Sequence, residues 1–262
     1  MRIRACRSRH NDYNHAVRLF TLIALLFFAP LALRAADLQP LVSALMQSER
    51  ELSGVPFAEI VKAATGKQVL AIHSTNAIER ELLANIGRAL DEVLAKLNVP
   101  GGPAQSKRRI NEVSTLFEAA LKESLNSIEG FECDYPKLAS GAQQRSGYPD
   151  LRLVDKKSGR IVYLDPKLFE RGSRGSSLRT FYYEPKRETN KILDDAHHLI
   201  VGFEHDGKPD GTWKFLGWEL VDLASFRVKL KAEFQGSNRD LYRAEAILSS
   251  SRTNTAVQFV QP

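Results

Sequence analysis

Cysteine is almost absent from this chain of 262 residues: there are two, and Cys6 falls within the N-terminal 36. Beyond that segment only Cys133 is left, so no intrachain disulfide framework holds the fold, even on an export route that would permit one. No CxxC, HExxH or paired Cys/His spacing occurs, which removes the usual structural zinc sites. A hard cation with oxygen ligands stays open. Also missing are a phosphate-cradling GxxxxGK[ST] loop and a serine nucleophile elbow. There is no internal repeat and no low-complexity block. With 43% hydrophobic residues the chain has material for a packed core, which excludes disorder and fibrous repeats.

One apolar run is present, at the N-terminus. Arg2, Arg4, Arg7, Arg9 and Arg18 precede Leu19 to Leu33, which Pro30 interrupts and Ala35-Ala36 follows. The run is short of the roughly 20 residues that cross a bilayer comfortably. Basic residues, an apolar stretch and small residues together form a secretory signal pattern. Cleavage falls after Ala36, or after Ala35 because Arg34 sits badly just before the first cut. The pattern predicts a signal peptide over 1–36 in preference to a retained anchor, no stable membrane insertion of the mature chain, and export to a bacterial periplasm or beyond. Those residues hold six of the 37 basic residues and one of the 31 acidic ones, so the remainder is near neutral at net +1. The pI near 9.3 therefore belongs mostly to the leader. Whole-chain basicity gives no support to nucleic-acid binding. Local basic stretches survive at Lys107-Arg108-Arg109 and from Lys167 to Lys191, where seven basic residues stand against three acidic ones.

Helical spacing runs from Leu38 to Ala64, with a break at Gly54-Val55-Pro56, and resumes behind Asn76, an N-cap candidate with Glu79 three residues on. Ile78, Leu82, Ile86, Leu90, Leu94 and Leu97 form one stripe that Asn98 to Pro103 stops. This predicts a helical N-terminal region over 37–105, bounded by that Pro/Gly segment. Lys107 to Ile128 is amphipathic again, with Gly130 as its stop. The period then changes. Phe131 to Tyr135, Tyr148 to Val154, Arg160 to Leu168, Leu199 to Glu204 and Trp213 to Leu223 are strand candidates, with a hairpin turn at Asp155 to Gly159. Glu188 to His198 reads as a helical insertion, Ala224 to Phe234 as a further helix, and 236–262 as a polar tail. Helix, three strands, helix and two strands imply an α/β or α+β sheet with helices on its faces over 106–235.

Asp150 opens the second of these strands and Asp165 and Lys167 close the third. Residues i and i+2 of a strand share a face, so Asp165 and Lys167 point into one volume, and pairing of the two strands brings Asp150 within reach. Two carboxylates and an ammonium gathered there can hold a divalent cation beside a phosphate. An acid and a lysine ending the apolar run Ile161 to Leu164 are costly to bury unless their charges are used. The ordinary alternative is an exposed cross-strand salt bridge.

Pro149-Asp150 followed by Asp165-Pro166-Lys167 resembles the signature of the PD-(D/E)XK, or restriction-endonuclease-like, nuclease superfamily. The resemblance spans about half the chain and implies a core of helix, three-stranded meander, helix and strand. It implies that Asp150 and Asp165 bind the metal with the Pro166 carbonyl as a further ligand, and that Lys167 orients and helps activate the attacking water. A glutamate from the preceding helix often joins in such proteins: Glu118 is the match and Glu112 the alternative. The cofactor implied is Mg²⁺, with Mn²⁺ as a substitute, and the substrate nucleic acid, DNA before RNA. Beside two acids Lys167 stays protonated, which favours an electrostatic and positioning role over that of a general base.

From Glu170 to Lys191, glycines and serines alternate with Arg171, Arg174, Arg179, Lys186 and Arg187 and with Phe181-Tyr182-Tyr183. This reads either as a substrate loop, with Arg179 and Lys186 as the contacts, or as a solvated loop with its aromatics in the core. His197-His198 reads as one packed and one exposed histidine. The expectation is an exported Mg²⁺-dependent nuclease. The rivals are a non-catalytic nucleic-acid-binding or interaction protein of the same fold, and a structural envelope protein that works through 37–105.

Overall fold

The structure, a computed structural model, describes residues 35–249, with side chains from residue 38. The expected signal peptide lies outside the described residues but for its last two. Two compact units divide the chain: residues up to Glu51 with those from Lys231 onward, and Leu52–Leu230. In the first, α1 (Ala35–Glu51) carries Pro40 within it and exposes Leu38, Leu41 and Met46.

The second unit begins with β1 (Ser53–Pro56), α2 (Phe57–Thr65) and β2 (Val69–Leu70), the short strands falling where the sequence breaks its helical period. Helix α3 (Ala77–Leu97) starts where the N-cap was expected, because the Asn76 side chain accepts from the amides of Ile78 and Glu79. Helix α4 (Ile110–Asn126) leads into the meander β3 (Phe131–Asp134), β4 (Leu151–Asp155) and β5 (Arg160–Glu170). Gly159, with φ +71°, closes the β4–β5 hairpin, a conformation that side chains with a Cβ rarely adopt. Strands β6 (Ala196–His205), β7 (Phe215–Asp222) and β8 (Arg227–Lys229) follow.

Six strands form one mixed sheet in the order β2-β6-β5-β4-β3, with β7 also on β6, while β1 and β8 pair separately. The meander is antiparallel; β5 and β6 run parallel, Val162 against His197 through to Glu170 against His205. Alternation divides the strands into two faces. Leu151, Leu153, Val162, Leu164, Leu199, Val201 and Phe203 pack with α3 and α4 in the larger core. Tyr163, Ile161 and Ile200 belong to a second cluster with Phe57 of α2, Ile192, Phe181 and Tyr183.

Three expectations are corrected. The Pro/Gly segment at 98–103 is a corner inside one unit, since Leu82, Ile86, Leu90 and Leu97 share a core with Phe117 and Leu121 across it. No helix occupies 188–198. That stretch is extended because Arg152 holds Asp194 at 2.7 and 3.1 Å, and Tyr163 Oη donates to Asp194 at 2.8 Å. Ala224 to Phe234 is likewise not helical but a 3-10 turn, Leu223–Ser225, followed by β8, which β1 captures as a partner. After Lys231 come α5 (Asn238–Leu241) and a 3-10 turn, Ala244–Ala246.

Phe117, fully buried, meets Phe203 and Phe215 at ring distances of 4.4 and 4.8 Å. Phe117→Ala is expected to lower stability by about 3–4 kcal/mol, measured by urea unfolding; a loss near zero would mean that α4 does not seal this core.

Candidate active site

The β4 ladder ends at Leu151, paired with Leu164, whereas β5 stays paired with β6 as far as Glu170. From Asp165 onward β5 has therefore outrun one neighbour. Pro166, which cannot donate a ladder hydrogen bond, is tolerated in this strand because one edge is open. The same register puts Asp150 next to Asp165. Asp150, Arg152, Tyr163, Asp165 and Lys167 all alternate onto the face opposite α3 and α4.

Asp165 is only 2% exposed. Lys167 Nζ stands 2.5 Å from Asp165 Oδ2 and 3.8 Å from Asp150 Oδ2. The expected pair and its partner acid thus meet in one small volume. Asp165 Oδ2 has that ion pair but no directed hydrogen bond. Burial first, and then the negative Asp165, push the Asp150 carboxyl up to about 7, with Lys167 and Lys191 working against them. Burial alone would lower Lys167, but Asp165 and Asp150 outweigh it and hold the ammonium above its ordinary value.

Glu118 is placed differently. Its helix packs on the other face of the sheet, and its carboxylate is held by Arg145 at 2.8 Å, while Arg145 lies 3.9 Å from the Tyr135 ring centre. Among the described residues no group of three or more Asp, Glu, His or Cys side chains is gathered as a metal site. Glu112, the alternative, is turned back to the helix start, where it accepts from the amides of Arg108 and Arg109.

The donor set still suits a hard cation: two acid side chains, one with an oxygen free of directed hydrogen bonds, and a carbonyl at the open strand edge. Between 144–148 and 182–191 lies a cleft of about 230 Å³, lined in part by Gly147, Tyr148, Tyr182, Lys186 and Lys191; the acids themselves do not line it. A wider depression of about 610 Å³ along α4 is remote from them.

Two of the loop's three aromatics join the core and one does not. Phe181 and Tyr183 pack on Phe57 at ring distances of 5.3 and 5.6 Å, while Tyr182 is 64% exposed. Arg179 is exposed, its guanidinium 5.5 Å from the Tyr182 ring centre, and Lys186 pairs with Glu184 at 2.8 Å. Neither touches the acids among the contacts seen. Both adjacent histidines are buried, not one of two, because β6 is central at that point. His197 Nδ1 bonds the Leu70 carbonyl at 3.0 Å. His198 Nδ1 meets Tyr148 Oη at 2.7 Å, and burial lowers its pKa to about 3.

Lys191 was missed from the sequence. It is 2% exposed, donates to the Gly147 carbonyl, and is lowered by burial against the pull of Asp150, Asp165 and Glu118. Its only sequence signal was its place at the end of a basic stretch.

A sequence model of the type II restriction enzyme MjaV family matches residues 51–245. The type II restriction enzyme MjaV of Methanocaldococcus jannaschii is 30% identical over 216 residues, which cover 79% of this chain and 93% of that protein.

A carboxyl raised in the folded state costs stability above its unfolded pKa of about 3.9, and costs most above the folded value of about 7. In metal-free protein Asp150→Asn should therefore stabilise by on the order of 2 kcal/mol at about pH 8, and the gain should vanish near pH 4. Urea titrations at both pH values test this; a variant less stable at the higher pH contradicts a strained charge at Asp150.

Proposed function

The chain belongs to the type II restriction enzyme MjaV family, and on that premise we propose that the acids and lysine at the β4–β5 opening hydrolyse DNA phosphodiester bonds with Mg²⁺. Membership bears out the resemblance to the PD-(D/E)XK superfamily and makes the chain a metal-dependent nuclease. The mixed sheet with helices is compatible with a restriction-endonuclease-like core. The observation that carries the site assignment is Lys167 lying within ion-pair reach of both Asp165 and Asp150 at an open strand end.

Asp150, Asp165 and the Pro166 carbonyl would hold the cation. When bound, such an ion makes an attacking water easier to deprotonate and offsets charge on the phosphate. Lys167 keeps its proton and presents a positive charge to the charge that develops on the phosphoryl oxygens. Asp165, set inside the strand, fixes Lys167 in place. Glu118 is held in reserve by Arg145 and has a lesser role than the pair. Tyr182 offers a stacking face, and Arg179 and Lys186 offer phosphate contacts once their present partners give way to DNA. The export reading rests on the sequence pattern alone; residues 1–36 precede the family match, which begins at 51.

Purified protein should cut plasmid DNA with Mg²⁺ and not with EDTA. Asp165→Ala or Lys167→Ala should reduce the rate at least about a hundredfold, and Glu118→Gln by about tenfold or less. Full activity in either of the first two would sink the site assignment. For export, cell fractionation with N-terminal sequencing should find chains starting at Ala36 or Asp37 outside the cytoplasm; an intact N-terminus inside it argues against a leader.

A further inference from the structure

The two acids are not held equally. Asp165 lies within β5, in register with Ile200 of β6, so the sheet fixes its backbone. Asp150 precedes β4 and has no rung of its own. Like charges side by side repel, so an acid at a strand's free end needs another restraint.

The residues just before β6 supply it. Asn190 brackets Ile192, donating to its carbonyl at 2.9 Å and accepting from its amide at 3.0 Å. Ile192 is buried, and the Leu193 amide donates to Tyr163 Oη at 3.0 Å. Tyr163 and Arg152 both bind Asp194. The strap is thus tied to β4, which Asp150 precedes, and to β5, which carries Asp165, through contacts that involve neither of those two acids. From this frame Lys191 reaches the carbonyl of Gly147, three residues ahead of Asp150. Gly147 has φ +81°, a conformation that other residues rarely adopt, so the turn is shaped for this position. An ammonium this buried is unfavourable unless it is bound, and the Gly147 carbonyl is the hydrogen-bond acceptor it has among the described residues.

We propose that Lys191 is the positioning residue for Asp150: by clamping the Gly147 carbonyl it keeps the Asp150 carboxylate beside Asp165, ready for a divalent cation. This rests on the reading of those two acids as the cation site.

Charge and position make opposite demands, which makes the test sharp. Removing a nearby positive charge by itself tightens cation binding; releasing the turn weakens it. Calcium binding to the full chain without DNA, measured by calorimetry, needs no turnover. Lys191→Met should weaken binding about tenfold, and Lys191→Arg, which keeps a donor, should stay within about threefold of the wild type. Asp194→Asn, which loosens the strap away from the acids, should weaken binding in the same direction by less, and it carries the test if Lys191→Met fails to fold. Unchanged or tighter binding in Lys191→Met, or in Asp194→Asn where that variant stands in, overturns the proposal. Asp165→Asn is the control for the underlying reading: if it binds calcium as the wild type does, the cation site itself is misassigned.

Discussion

Alternation along β5 is the constraint on which the rest depends. Val162 and Leu164 enter the core shared with α3 and α4, while Tyr163, Asp165 and Lys167 take the other face. One residue of slip would send the carboxylate into the helix-side core and an apolar side chain to the site. Burying Asp165 is unfavourable by itself, and Lys167 two residues on is what offsets it. Core and site are therefore fixed by the same register, and β6 holds that register over nine consecutive pairs.

Much of this was legible because it is local. The spacing of Asp165 and Lys167, the turn at Asp155 to Gly159 and the Asn76 cap each depend on neighbours within a few residues. Asp150 was legible one step further out, because a hairpin turn determines which residues face each other. What could not be read was set by distant partners. Residues 188–195 carry no pattern that announces Arg152 as the holder of Asp194, and a stretch with helical spacing became extended for that reason. Helix α3 read as part of a separate region because proline and glycine mark chain corners equally well inside a domain and between domains. Glu118 was the expected third acid, and nothing near it in sequence identifies Arg145 as its partner.

The basic loop shows how charge counts mislead. Arg171 pairs with Glu204 at 2.7 Å, Arg174 with Glu219, and Lys186 with Glu184. These are exposed pairs, weak and readily exchanged for phosphate. The surface near the cleft is accordingly closer to neutral than a count of its basic residues suggests, in keeping with the near balance of charge over residues 37–262.

The tie from Arg152 and Tyr163 to Asp194 joins residues that are 42 and 31 apart in sequence. Contacts of such separation close long loops and bear that entropy cost before they reward it. A growing chain that has emerged only as far as Lys167 already contains Asp150, Asp165 and Lys167, yet lacks the parallel neighbour and the strap that bring them to bear. The gathering of Asp150, Asp165 and Lys167 is a property of the finished tertiary structure, so an incomplete or unfolded copy of this nuclease carries the three residues without the geometry that brings them together.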